Sequence, residues 1–97
     1  MPASSAGVER SGDALVFTGA LLRDRVAALW PRAARALEGL RRIDLGAVER
    51  IDSAGLAMLA ELVARAGTAP AIEGTPAGLS ELCAAYRLTP QLSFASA

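Results

Sequence analysis

The stretch from Arg42 to Glu73 changes its hydrophobic period twice, and this limits the possible folds more than any other feature of the chain. Arg42 to Val48 reads as a short strand that turns Ile43 and Leu45 toward a core, followed by Glu49-Arg50-Ile51-Asp52, after which the chain turns. Ser53 then opens a helical repeat in which Leu56, Leu59, Ala60, Val63 and Ala66 share one face, while Met58, Glu61 and Arg65 lie away from it. Gly67 is a stop signal, and Ala71 to Glu73 reads as another strand closed by Gly74. Strand, helix and strand in immediate succession imply a parallel, right-handed crossover.

The flanking segments extend the pattern. Val8 to Arg10 pairs with Ala14 to Thr18 across Ser11-Gly12-Asp13, a hairpin that puts Leu15 and Phe17 on one face and ends at Thr18-Gly19. From Asp24, the residues Val26, Leu29, Trp30, Ala33, Leu37 and Leu40 follow helical spacing with Arg25, Arg32, Arg35 and Glu38 outside. Pro31 lies inside that helix and implies either a kink or a restart. Thr75-Pro76 opens a last helix whose buried side is Leu79, Leu82, Cys83 and Tyr86 or Leu88, and Thr89-Pro90 ends it. The predicted architecture is α/β, a mixed sheet of about four strands with helices packed on it. Residues 1–7 are expected to be a disordered tail and residues 8–97 a single domain.

Composition narrows the chemistry. The sequence has no His. All ten basic residues are Arg, so there is no Lys either. A Walker-type phosphate site, Schiff-base chemistry and the commonest general base and metal ligand are therefore missing. The lone Cys83, between Leu82 and Ala84, reads as a buried structural thiol and excludes disulfide frameworks. No apolar run approaches the ~20 residues of a spanning helix, and the N-terminus lacks the pattern of a signal peptide, so a soluble, cytosolic chain is expected. From Arg23 to Arg42 six Arg face only Asp24 and Glu38, an imbalance that reads as a solvated helix face or as a surface that steers a partner. Zero net charge and four aromatic residues give nucleic-acid binding no footprint.

The segment Ile43-Asp44-Leu45-Gly46-Ala47-Val48-Glu49-Arg50-Ile51-Asp52-Ser53-Ala54-Gly55-Leu56 resembles the signature of STAS domains, where an apolar strand ends in Asp-Ser-x-Gly-Leu at the start of a helix. Val16-Phe17-Thr18-Gly19 resembles that family's second strand, and the likeness runs from about Val8 to Leu88. It implies the STAS (anti-sigma factor antagonist-like) fold. Within the family, Gly19-Ala20-Leu21-Leu22 lacks the acid usual in anti-sigma factor antagonists. Leu29-Trp30 and the run Asp52 to Leu59 look more like the STAS subunit of the Mla-type phospholipid-trafficking ABC transporter. That resemblance implies a non-catalytic cytoplasmic subunit, peripheral to the inner membrane, bound to the transporter's ATPase subunit and through it to the permease and lipid-binding subunits. The alternative it implies is an anti-sigma factor antagonist switched by phosphorylation of Ser53.

Partner-binding candidates follow: Ser53, Asp52, Ala54, Gly55, Met58 and Arg25. The resemblance places the hydroxyl residue, Ser53, at the partner interface. From local sequence alone Ser53 reads equally as a plain N-cap, Asp52 as a turn residue and Gly55 as a packing glycine. Trp30 reads as core before anchor, and Met58 as an outward contact beside Ser53. No base other than Asp52 lies near Ser53 in the chain, so an enzyme reading has no activated nucleophile, and no cofactor or metal is expected.

Overall fold

Two crossover connections organise the sheet. The computed structural model describes residues 7–88. Its strands β1 (Gly7–Ser11), β2 (Ala14–Leu21), β3 (Arg42–Ile51) and β4 (Ala71–Glu73) form one sheet in the order β1-β2-β3-β4. β1 is antiparallel to β2, whereas β2, β3 and β4 run parallel. Helix α1 (Arg23–Ala34) links β2 to β3, α2 (Ser53–Ala66) links β3 to β4, and α3 (Leu79–Ala85) follows. Successive right-handed crossovers that step the same way across a sheet put their helices on one face, and α1 and α2 do pack against each other. The expected α/β mixed sheet of four strands with helices packed on it is the observed architecture.

The core is aliphatic. Leu15, Phe17 and Leu21 from β2, Ile43 and Leu45 from β3, and Leu56, Leu59 and Leu62 from α2 are buried together. β3 extends to Ile51, beyond the expected end at Val48, because two bulges let its ten residues stay paired with the eight of β2 as far as Leu21–Ile51. Phe17 opposes both Leu45 and Gly46, and Glu49 is a second extra residue between the Gly19–Val48 and Ala20–Arg50 pairs. Each bulge lengthens the local spacing from two to three, so Leu45, Val48 and Ile51 all reach the core. The Asp44 carboxylate stabilises the first bulge by accepting the Gly46 N–H at 2.8 Å. β2 likewise continues beyond Thr18-Gly19 to Leu21.

Other boundaries shift for local reasons. Gly7, expected in the tail, pairs with Thr18 in β1; positions 1–6 and 89–97, including Thr89-Pro90, lie outside the described residues. α1 runs through Pro31 and stops at Ala34, three residues on, so Leu37 and Leu40 reach the core from the turn that follows. Arg10 ties that turn to the β1–β2 hairpin, donating to the carbonyls of Ala36 at 2.6 Å and Gly12 at 2.7 Å. α3 begins at Leu79 and not at Thr75-Pro76; Leu88 is half-buried, while Tyr86 is 51% exposed.

Met58 is the largest departure. Expected to face outward, it is 4% exposed and belongs to the core. α2 is covered on two sides, by the sheet and by α1. Arg65, two turns after Met58 on the same row, lies 5.1 Å over the Trp30 ring of α1, which identifies that row as the α1 side.

Candidate functional site

The junction between β3 and α2 is organised by Asp52. Its backbone is extended, and its Oδ1 accepts the Gly55 N–H at 2.9 Å, so Asp52 is the N-cap of α2. Its Oδ2 accepts the Arg23 N–H at 2.9 Å. Arg23 is the first residue of α1, whose own N-cap position, Leu22, has no side-chain acceptor. One carboxylate therefore satisfies an orphan donor at the start of each helix. Burial alone would raise the Asp52 pKa, but the N–H groups of Gly55, Arg23 and Ala54 outweigh it and hold the carboxyl below its ordinary range.

This arrangement corrects the expectation for Ser53. It is not the cap but the first residue inside α2, its side chain exposed, and its hydroxyl makes no hydrogen bond within the described residues. Gly55, expected on a contact surface, is buried: a Cβ there would lie 2.2 Å from the Leu21 carbonyl oxygen. It permits the first turn of α2 to sit on the end of β2, which is a packing role.

Beside Ser53 runs an open groove of about 440 Å³. It is lined by Ser53, Ala54, Leu56, Ala57 and Ala60 of α2, by Arg23 at the start of α1, and by Tyr86 and Leu88 beyond α3. Of the predicted residues, Ser53 and Ala54 thus meet on one surface and Asp52 supports it from behind. Met58 is in the core, and Arg25 lines a different depression with Asp24, Glu49 and Arg50. Sequence reading missed Arg23, Ala57, Ala60 and Tyr86. The spacing of Ser53, Ala57, Ala60 and Ala64 at i, i+4, i+7 and i+11 was a readable signal for a smooth helix row; nothing local pointed to Arg23.

The site holds little that is reactive. Both Asp52 oxygens are engaged by backbone donors, so no base activates Ser53. Burial pushes the Cys83 thiol up, away from the thiolate. Among the described residues no group of three or more His, Cys, Asp or Glu could hold a metal, and no helix is long and apolar enough to cross a membrane.

A mixed β1-β2-β3-β4 sheet with an Asp-Ser-x-Gly-Leu junction opening the helix after β3 defines a STAS-type α/β domain. The chain belongs to the family described as "Mlab, STAS domain", whose model matches residues 6–92. It is 39% identical over 54 residues to the "Intermembrane phospholipid transport system binding protein MlaB" of Escherichia coli K12, and equally to that of Shigella flexneri. The matched stretch spans 56% of this chain and 56% of each relative. A solved structure described as "Crystal Structure Analysis of Mglu" superposes with a TM-score of 0.50 and 26% identity over 75% of this chain, which corresponds to 20% of that longer one.

Proposed function

We propose that this chain is the STAS subunit of a phospholipid-transporting ABC transporter, a cytoplasmic protein held at the inner membrane through its complex. It binds the ATPase subunit through the groove beside Ser53, contacts the permease and lipid-binding subunits only through that complex, and performs no chemistry of its own. The observation that carries this reading is the division of labour at the β3–α2 junction: Asp52 caps the helix, leaving an exposed, uncommitted Ser53 hydroxyl on a smooth alanine floor. The family match and the similarity to intermembrane phospholipid transport system binding proteins suggest the transport system.

The test is affinity purification of the tagged wild-type chain and of Ser53→Arg from native cells, with mass spectrometry of what is retained. Capture of an ABC ATPase and permease by wild type and loss of both in Ser53→Arg is the expected result. Capture of no ATPase refutes the reading. The accessible Ser53 hydroxyl also suits a kinase, so recovery of a serine kinase with phosphate on Ser53 would establish the anti-sigma factor antagonist instead.

A further inference from the structure

We infer that the groove beside Ser53 receives an amphipathic helix of the partner, small or apolar along its contact face and carrying an Asp or Glu that pairs with Arg23. The inference rests on the proposed role and specifies the chemistry of the docking segment.

Shape comes first. Ser53, Ala57, Ala60 and Ala64 form a nearly straight row of short side chains along the outer face of α2. Ser53, Ala57 and Ala60 of that row line the groove, and at about 1.5 Å per residue they span about 10 Å, matching roughly two turns of a partner helix. Short side chains at a helix contact allow the axes to approach closely, near the lower end of the usual 8–10 Å range. An isolated side chain would fill only a fraction of about 440 Å³, whereas a helix laid along the row uses its whole length.

Charge then fixes the end of that helix. Arg23 is the single charged residue in the groove lining, where it is accompanied by the Ser53 and Tyr86 hydroxyls and by no acid. Within the described residues its guanidinium forms no ion pair, because Asp52 takes its backbone N–H and spends both oxygens on backbone donors. Two other arginines of the molecule are already paired, Arg65 with Glu61 at 2.9 Å and Arg42 with both Asp13 and Glu73. A carboxylate arriving at the Ser53 end meets an unpaired cation and two hydroxyl donors. A basic residue there meets repulsion.

Because Arg23 contributes to the fold through its backbone, its side chain can be reversed without disturbing the Asp52 bridge. The experiment compares wild type, Arg23→Lys and Arg23→Glu for capture of the ATPase subunit, with thermal unfolding of each as a folding control. A photo-crosslinker at Ala57 identifies the contacted peptide. We expect Arg23→Glu to lose about tenfold in capture at unchanged melting temperature and Arg23→Lys to stay near wild type. The crosslinked peptide should be a helical segment with an acid within a turn or two of the contact. Undiminished capture by Arg23→Glu, or a crosslink to a segment without an acid, overturns this inference while the proposed function stands. Capture of no ATPase by wild type overturns both.

Discussion

Replacing Asp52 with alanine removes two hydrogen bonds that belong to different helices. The cap on Gly55 is worth about 1 kcal/mol. The bond from the Arg23 N–H is charge-assisted but half-exposed, so water replaces part of it and about 1 kcal/mol is again the fair figure. The sum, about 2 kcal/mol, lowers the melting temperature of a domain this size by roughly 8–16 °C. Asp52→Asn keeps one acceptor and turns an amide donor toward the other N–H, so it should fall between alanine and wild type. The pH dependence has a definite sign. The folded carboxyl is held below its ordinary value of 3.8, so its stabilisation is complete above that value and fades as pH falls through the lower folded value. Melting curves followed by circular dichroism from pH 7 down to about 3 should show the wild type converging on Asp52→Asn. A melting temperature for Asp52→Ala within about 3 °C of wild type, or a constant gap between wild type and Asp52→Asn at every pH, would refute the two-helix bridge.

Two further substitutions probe the packing around the site. Gly55→Ala should gain about 1 kcal/mol of helix propensity yet be destabilised overall by about 2 kcal/mol, because its Cβ meets backbone at 2.2 Å and Ile51 Cγ1 at 2.9 Å; a urea midpoint equal to or above wild type would contradict this. Met58→Ala should cost about 2–4 kcal/mol by opening a cavity between α2 and α1, whereas a surface methionine would cost almost nothing in the same urea titration.

The parts of the fold that were legible in the sequence are those whose period is undisturbed. Ala71 to Glu73 was read with its true ends, and the alternation of Ile43 and Leu45 placed the start of β3 correctly. Reading failed where tertiary pairing altered the period. The three-residue spacing of Leu45, Val48 and Ile51 makes no sense in an isolated strand and becomes regular only with the two bulges against β2. Met58 was misplaced because the outer side of α2 is itself built of alanine: Ala54, Ala57, Ala60 and Ala64 look no more polar than the core row, so the helix pattern carries little directional information. The true apolar face is centred nearer Gly55, Leu59 and Leu62 than the sequence suggested.

The Asp52-Ser53 pair shows most clearly what a local reading lacks. Either side chain is a good N-cap by residue type, and nothing within the strand-to-helix loop decides between them. The decision comes from Arg23, 29 residues earlier in the chain, whose N–H opens a helix with no cap of its own. A hydroxyl has a single oxygen, whereas a carboxylate holds two apart and can aim one at each helix start, as Oδ1 and Oδ2 of Asp52 do. Once Asp52 occupies the cap position, Ser53 is displaced by one residue onto the outer face of α2, in line with Ala57, Ala60 and Ala64. The same geometric requirement that ties the two helix starts together thus leaves an exposed hydroxyl, unbonded within the described residues, at the head of a smooth row, and the proposed docking surface is a consequence of how α1 is capped.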